Sequence, residues 1–493
     1  MSRYLRTVLF CLLAIGCATI DHPPLEPESR RLAEIFENYF EAYLELFPLF
    51  ATRIGDPRYD DRLDVSIGAE HRARQQKLYR DTLERLSGIH VRDLSTKERL
   101  YHDTLTHALR RRQEAARFPG YLLPLRQFGS LPIEFPLLGS GNGSHPFKTV
   151  ADYDNFLKRI DGFEAWVDTA IANMREGIKL GVVQPRVVIE RTLPQLEAML
   201  VSEATESLFY QPIKRIPDRF NTADQDRLTR AYIHAIENKI LPTYRKLVAF
   251  IRDEYLSRSR DTIAWSDLPG GHAWYDFQVR SQTTTDLTPE EIFQLGQDEI
   301  ARIKKEMERI KDRGGFHGTV EEFSRHLSKS APRPFASRDS LVKGYQAIAR
   351  TIAPHVSRLF GRAPNAPFEI RTIEEFRERS APSQYWSASP DGSRPGIFYV
   401  NASGIEKVAR RASEALFLHE AIPGHHFQIS LQQEQKALPR FQRFGGYTAF
   451  VEGWALYAES LGTQLGLYKE PDQEFSRLNS ELFRAVRLVV DVG

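Results

Sequence analysis

The spacing of apolar residues constrains the fold of this 493-residue chain more than any other feature. In RRLAEIFENYFEAYLELFP, which begins at Arg30, seven apolar or aromatic side chains recur every three or four residues and share one helix face. The same spacing recurs in seven further segments: 69–88, 151–178, 224–255, 290–312, 339–361, 405–420 and 447–466. Thr288-Pro289-Glu290-Glu291 is a typical helix start, with a capping hydroxyl, proline at the first position and acids in the first turn. We therefore predict one large, mainly α-helical domain.

Strand signals are few in this chain. Two short runs of β-branched and aromatic residues, RVVIE (186–190) and GIFYVN (396–401), predict strands. The second run comes shortly before the helical pattern at 405–420. We expect a small β element beside that helix.

The charge of the chain argues against a nucleic-acid partner. The formal net charge is only +2, and Arg3 and Arg6 lie at the extreme N-terminus with no acid near them. The rest of the chain is therefore close to neutral, whereas nucleic-acid binding needs a concentrated basic patch. The composition, 41% hydrophobic and 27% charged residues, is that of an ordinary globular protein. No pattern in the sequence identifies a protein partner.

The N-terminus has the layout of a secretory signal with a bacterial lipobox. MSRYLRTVLFCLLAIGC starts with basic residues, continues with an apolar run from Val8 to Ile15 and ends on Cys17. The chain has two cysteines, and Cys11 would leave with the signal peptide. Cys17 would then be the sole cysteine of the mature chain, so no intramolecular disulfide could form.

These features predict a lipid-anchored protein of the bacterial cell envelope. We expect a signal peptide over 1–16, lipidation of Cys17, a polar Pro-rich tether over 17–29 and the folded domain over 30–493. The multiple acylation of such a cysteine would hold the protein on a membrane. Ala18, by resemblance to known sorting rules, is typical of the outer membrane, with the domain facing the periplasm.

The stretch LHEAIPGHH (418–426) carries the strongest chemical signal. It begins like the zinc-binding motif H-E-x-x-H, but Pro423 stands where the second histidine is expected. In a regular helix His419 and His426 would share a face about 10 Å apart, too far for both to reach one zinc ion. The proline ring would clash with the carbonyl of His419, so the helix must break, and Gly424 gives the backbone freedom to do so. We predict an expanded zinc helix in which His419 and either His425 or His426 bind Zn²⁺.

A catalytic zinc site needs a third protein ligand, for which Glu452 is the first candidate. It lies in YTAFVEGWALYAESL, between Val451 and Trp454, on a predicted buried helix face. A carboxylate in such a place needs a partner. Glu459, seven residues further on, shares its face and is the alternative ligand or the partner of a ligand.

Glu420 is the predicted catalytic base. It follows the first histidine, as the glutamate of H-E-x-x-H does, where that residue takes a proton from zinc-activated water and can deliver it to a leaving amine. The strand in SASPDGSRPGIFYVN (387–401) could pair with a peptide backbone. Arg394 is a candidate partner for a substrate carboxylate, and Tyr399 and Tyr447 are candidate donors to the oxyanion.

Five motifs together resemble a bacterial family known as domain of unknown function 885: LHEAIPGHHFQ, FVEGWALYAE, SRPGIFYVN, TTTDLTPEEIFQLGQDEIARIKKEM and RLNSELFRAVRLVVDVG. The resemblance runs from about residue 30 to the end. It implies a helical, zincin-like metallopeptidase domain, distantly similar to thimet oligopeptidase and angiotensin-converting enzyme, with carboxypeptidase or dipeptidase activity. It also implies zinc on His419, on a histidine of the Gly-His-His group and on Glu452, with Glu420 as the base. Comparison of Gly424-His425 with the Gly-His end of H-E-F-G-H favours His425 over His426.

Family members continue well beyond RLVVDVG, so we expect this chain to be incomplete at its C-terminus relative to the family. Three functions follow as hypotheses. The first is a membrane-tethered zinc peptidase that hydrolyses peptide substrates. The second is a noncatalytic peptide-binding lipoprotein on the same fold, and the third is a zinc hydrolase of a non-peptide amide or ester.

Overall fold

The computed structural model describes residues 27–330, 335–379, 381–392, 394–405 and 412–493. The predicted signal peptide and Cys17 lie outside the described residues. The described chain is mainly α-helical and contains a small three-stranded sheet, as the apolar spacing predicted. None of the described helices is both long and apolar enough to cross a membrane.

The helices and strands follow one another along the chain with short connections. The helices are α1 (Pro27–Leu46), α2 (Pro48–Arg53), α3 (Ala69–Ser87), α4 (Thr96–Ala115), α5 (Leu131–Gly139), α6 (Val150–Leu180), α7 (Arg186–Glu197), α8 (Thr222–Ala235), α9 (Leu241–Phe250), α10 (Gly271–Thr283), α11 (Pro289–Arg313), α12 (Val320–Ser330), α13 (Arg338–Leu359), α14 (Glu375–Glu378), α15 (Glu414–Glu420), α16 (His425–Glu434), α17 (Arg440–Arg443), α18 (Thr448–Ser460) and α19 (Pro471–Val492). The strands are β1 (Phe368–Thr372), β2 (Gln384–Trp386) and β3 (Gly396–Val400).

Each of the eight segments in which the apolar spacing predicted a helix contains one. Helix α1 begins at Pro27, so the last three residues of the predicted tether are already helical. The segment 224–255 is confirmed as helical, with π-helical turns at Ile236–Ile240 and Ile251–Tyr255. Thr288 caps α11: its hydroxyl accepts from the backbone N–H of Glu291 at 3.2 Å, and the Glu291 carboxylate accepts from the N–H of Thr288 at 2.8 Å.

The strand predicted over 186–190 is wrong, because this run opens helix α7. Ile189 and Leu196 are fully buried one above the other, while Val187 is 40% exposed. A strand would have placed Val187 and Ile189 on the same face. Burial of the helical stripe outweighs the weak strand preference of the β-branched residues.

The helix predicted over 405–420 begins only at Glu414. Ser413 is extended, and its hydroxyl accepts from the N–H of Leu416 at 3.2 Å, so it caps a new helix instead of continuing an earlier one. Residues 406–411 of that prediction lie outside the described part of the chain.

Two apolar cores organise the described chain. The larger one is built on α6 and the helices α5, α7, α8 and α9 around it. The second joins α13, the sheet, α15 and the segment after α18. Phe417 and Leu418 of α15 are fully buried in this second core. Their packing fixes the position of the next two residues, His419 and Glu420.

The small sheet has the strand order β1-β3-β2, with β3 parallel to β1 and antiparallel to β2. Phe398 and Val400 of β3 face the core shared with α15, so the predicted β element does lie beside that helix. Both edges of β3 are occupied by neighbouring strands. The expected pairing of β3 with a substrate backbone is therefore wrong, because no hydrogen-bonding edge of this strand is free.

Candidate metal centre

The motif helix breaks where Pro423 predicted a break. Helix α15 ends at Glu420 and α16 begins at His425. Gly424 fits this turn for a steric reason: a Cβ on it would lie 1.9 Å from the carbonyl oxygen of His419. The indole N–H of Trp454 donates to the carbonyl of Pro423 at 2.8 Å and ties the turn to α18.

The break brings two histidines and one carboxylate together. The Nε2 atom of His419 lies 3.4 Å from one oxygen of Glu452, and Nε2 of His425 lies 3.7 Å from the other. One ligand atom from each of the three residues falls within 4.8 Å of the other two. Ligands about 2.0–2.1 Å from a tetrahedral zinc ion lie about 3.3 Å apart, so the three side chains fit one ion after small movements.

Burial divides this cluster into a closed side and an open side. His419 and His425 are only 6% and 7% exposed, whereas the side chain of Glu452 is 56% exposed. The predicted buried face of α18 is confirmed only in part: Ala458 and Leu461 are buried, whereas Phe450 and Tyr457, on either side of Glu452, are 59% and 53% exposed. The cluster can therefore be reached along the α18 side.

Glu459 lies behind His419 and not among the converging atoms. Its Oε1 is 2.8 Å from Nδ1 of His419, and Arg484 of α19 contacts both of its oxygens, at 2.6 and 3.2 Å. A carboxylate only accepts, so Nδ1 carries the proton and donates to Glu459. This contact orients the ring so that Nε2 faces Glu452.

His426 points away from the cluster. Its Nδ1 lies 3.0 Å from the hydroxyl of Tyr385 and 3.4 Å from that of Ser430, and its ring packs against Phe368 at 4.8 Å. Successive residues on a helix are about 100° apart, so His425 and His426 cannot face the same point. Of the two histidines that the sequence left open, the geometry brings His425 to Glu452.

The charges of the cluster are strongly coupled. Burial alone would lower the pKa of His419, but Glu452 and Glu459 outweigh it and raise that pKa to about 9. Burial and the neighbouring His419 lower the pKa of His425 to about 4. The contact with His419 also holds the pKa of Glu452 below its usual value. At neutral pH, then, His425 is neutral and His419 retains a proton that a metal ion would have to displace.

Glu420 lies directly beside this cluster, as predicted. It is 7% exposed, and the backbone of Tyr385 on β2 lies near enough to its carboxylate to favour the ionised form. Burial raises the pKa of Glu420 to about 7, against the opposing effect of the His419 charge. A carboxyl group with such a pKa can both accept and release a proton near neutral pH.

The other three predicted substrate residues, Arg394, Tyr399 and Tyr447, make their described contacts outside the cluster. Tyr399 is 1% exposed on the face of β3 opposite Phe398, with its ring against Trp386, because side chains alternate along a strand. Tyr447 donates to the carbonyl of Thr104 at 3.1 Å on α4. The roles of these two tyrosines as oxyanion donors stay predictions.

Arg394 is largely engaged in holding its own loop. Its Nη1 donates to the carbonyl of Ser387 at 2.7 Å, and its Nη2 donates to the carbonyl of Arg53 at 3.0 Å. These bonds join the segment before β3 to the end of α2. A bidentate contact with a substrate carboxylate would have to compete with them.

Sequence reasoning missed Tyr385 and Arg484. Tyr385 belongs to a three-residue strand, too short to give an alternation pattern, yet it contacts Glu420 through its backbone and His426 through its hydroxyl. Arg484 is one of many basic residues on amphipathic helices. Only the packing of α15 against α19 reveals that it supports the cluster.

Comparison with known proteins places the chain in a family. The chain belongs to the family described as "Bacterial protein of unknown function (DUF885)", which it matches over residues 48–493. No curated protein sequence matches it.

Two solved structures have the same fold. A candidate lipoprotein from Colwellia psychrerythraea superposes with a TM-score of 0.85 at 24% identity, over 95% of this chain and 84% of that one. A candidate lipoprotein of unknown function from Shewanella oneidensis superposes with a TM-score of 0.64 at 16% identity, over 93% of this chain and 82% of that one. At these identities the likeness concerns the fold.

Proposed function

We propose that this protein is a zinc-dependent peptidase of the bacterial cell envelope. The observation that carries the proposal is the convergence of His419 Nε2 and His425 Nε2 on the Glu452 carboxylate, with Glu420 beside them. Two imidazoles and one carboxylate are a ligand set of catalytic zinc sites, which keep a fourth position open. A zinc ion held there would supply Lewis acidity to activate water and a carbonyl group.

Each side chain of the cluster has a distinct role in this proposal. Glu459 and Arg484 orient His419, while the core contacts of Phe417 and Leu418 fix the end of α15. Glu420 takes the proton of the attacking water and passes it to the leaving amine. The nearby backbone N–H of Tyr385 would hold the Glu420 carboxylate in place for this transfer.

A peptide is the substrate that the surroundings favour. A cavity of about 1210 Å³ borders β2, the strand that contacts Glu420. Drug-sized ligands occupy roughly 300–1,000 Å³, so this cavity suits a short peptide.

The test compares wild-type protein with Glu420→Gln and with Glu308→Gln, a matched change on the surface of α11. After metal removal and reloading, zinc per chain is measured, and cleavage of a peptide mixture is followed by mass spectrometry. We expect all three proteins to hold one zinc, and Glu420→Gln to lose about 10²–10⁴-fold in rate. Wild type without zinc, or Glu420→Gln as active as wild type, would contradict the proposal.

The same experiment separates the other two hypotheses. Zinc-loaded wild type that binds peptides without cleaving them would be a noncatalytic binding protein. Cleavage confined to esters or non-peptide amides in a substrate panel would indicate the third function.

Attachment to the envelope is proposed from Cys17 and from the two structural relatives, which are described as candidate lipoproteins. In a bacterial host, wild type is expected in the membrane fraction and Cys17→Ser in the water-soluble fraction. Equal distribution of the two proteins would rule out lipidation at Cys17 as the anchor.

A further inference from the structure

The cavity beside β2 lies between the N-terminal helices and the sheet. Arg53 ends α2, Arg126 precedes α5, Glu134 lies on α5 and Arg377 on α14, and all four line it. Tyr385 lines it as well, and its backbone lies near the Glu420 carboxylate. The cavity therefore starts at the strand that contacts the proposed catalytic base.

Its described lining carries an excess of positive charge: four arginines against two carboxylates. One of the carboxylates, Asp64, is already paired with Arg62 at 3.1 Å. The other is Glu134, whose pKa is raised by burial although three arginines oppose that shift. Arg377 is itself paired with Glu374 at 2.8 Å, so the excess of positive charge rests on the other arginines of the lining. A cavity with low-dielectric walls strengthens their field.

The arginines differ in how they are held. Arg377 is 4% exposed; its Nε donates to Glu374 at 2.8 Å and its guanidinium lies 5.3 Å from the centre of the Tyr399 ring. Its Nη2 has no hydrogen-bond partner among the described residues. Arg53 and Arg126 are exposed, and neither forms an ion pair with a described residue. Two exposed guanidinium groups and one buried one therefore line the same cavity.

Apolar groups complete the lining. Phe128, which is 51% exposed, and Trp265, Trp274 and Trp386 contribute aromatic surface. A ligand that matches this cavity combines apolar side chains with a negative group. A short peptide that ends in a free carboxylate has both.

We propose that this cavity selects short peptides by a carboxylate, which Arg53 and Arg126 bind while Arg377 adds fixed positive charge. The inference rests on the proposed peptidase function and names its substrate class. A carboxylate matches the planar fork of an arginine, so each guanidinium can bind it through two hydrogen bonds.

The test measures binding, not turnover. Acetyl-Ala-Ala-Phe is titrated calorimetrically, as the free acid and as the C-terminal amide, into zinc-loaded Glu420→Gln protein and into metal-free wild type. We expect the free acid to bind about tenfold or more tightly than the amide, because charge-assisted hydrogen bonds are lost in the amide. The preference is expected to fall close to one in Arg53→Gln/Arg126→Gln and to persist in Arg230→Gln, a change of an exposed arginine on α8 outside the cavity.

A second pair of peptides identifies the source of the carboxylate. In acetyl-Ala-Glu-Phe amide and acetyl-Ala-Gln-Phe amide only the side chain differs in charge. Preference for the glutamate peptide alone would assign the site to an acidic side chain, and preference for the free acid alone would assign it to the C-terminus.

Equal binding of free acid and amide in both pairs, no binding of any peptide, or a preference unchanged in the double variant would overturn the inference. The outcome is separable from that of the proposed function. Peptide cleavage without a preference for the carboxylate would support the proposed peptidase function and contradict the inference about the cavity. A preference for the carboxylate in a protein that binds no zinc would support the cavity inference and contradict the peptidase function.

Discussion

Two buried polar clusters in this protein differ in whether their atoms are satisfied within the protein. Around Arg159, which is fully buried, Nε donates to the carbonyl of Arg62 at 3.1 Å and Nη1 contacts Nδ1 of His145 at 2.7 Å. Nη2 donates to the hydroxyl of Thr52, and Nε2 of His145 contacts the carbonyl of Asp152 at 2.9 Å. Burial and Arg159 lower the pKa of His145 to about 3, so its ring stays neutral.

In the metal cluster the polar atoms are instead left facing one another. The Nε2 atoms of His419 and His425 lie 3.4 and 3.7 Å from the Glu452 oxygens, longer than the roughly 2.7–3.2 Å of good N–H···O hydrogen bonds. Nδ1 of His425 has no partner among the described residues. The comparison teaches that a fully paired cluster holds the fold, whereas one with converging unpaired ligand atoms is suited to receive an ion.

The largest expected effect of a single change breaks the Arg159 cluster. Arg159→Met should cost about 3–5 kcal/mol of the free energy of unfolding, because it leaves His145, Thr52 and Asp60 buried without their partner. Denaturant unfolding of the metal-free protein measures it. The neighbouring Lys158→Met, which removes only an exposed contact with Asp61, should change stability by less than about 1 kcal/mol.

Zinc affinity should be the same in Arg159→Met and wild type under conditions where both are folded. A loss of zinc binding that is larger than the loss of folded protein would show that the two clusters are not independent.

An intermediate effect is expected at the residue behind the cluster. Glu459→Gln removes the charge that orients His419 and should weaken zinc binding by about 10–100-fold, the usual cost of losing such a partner. Competition with a chromophoric chelator measures it. Glu481→Gln on α19, a carboxylate that also pairs with an arginine but touches no histidine, is the matched control and should leave the affinity unchanged.

Much of this architecture could be predicted from the sequence, because the spacing of apolar residues within one segment is enough to identify an amphipathic helix. The helix break at Pro423 follows from the steric clash that the proline ring would cause in a regular helix. The residues of the cluster lie within two recognisable motifs. The family resemblance favoured His425 over His426, but the residues alone left the choice open, because Phe368 and Tyr385 from distant strands fix the orientation of α16. The strand prediction for RVVIE failed for the same reason, because the helix there is stabilised by the packing of Ile189 in the core.

Zinc affinity should also depend on pH. Zinc must displace the His419 proton, whose pKa is about 9, while His425, with a pKa of about 4, is already neutral. The apparent affinity should therefore rise by about tenfold per pH unit from pH 6 towards 9. Calorimetry in two buffers of different ionisation enthalpy should show about one proton released per zinc at pH 7.5. Affinity independent of pH would contradict the assignment of His419.

The same pKa shift has a consequence for the metal-free protein. Since the pKa of His419 is raised by folding, its contribution to stability is complete below about pH 6.5 and is lost as the pH rises through 9. Glu420, whose pKa is also raised, acts in the same direction between about pH 4.5 and 7. Denaturant unfolding at pH 7 and pH 9 should show the lower stability at pH 9.

The most direct test of the metal centre uses two adjacent residues. Zinc is titrated into metal-free wild type, His425→Ala and His426→Ala, and stoichiometry and affinity are measured. We predict one tight site in wild type and in His426→Ala, and loss of tight binding in His425→Ala, because only His425 faces Glu452. Tight binding retained in His425→Ala and lost in His426→Ala, or no stoichiometric zinc in wild type, would contradict the account.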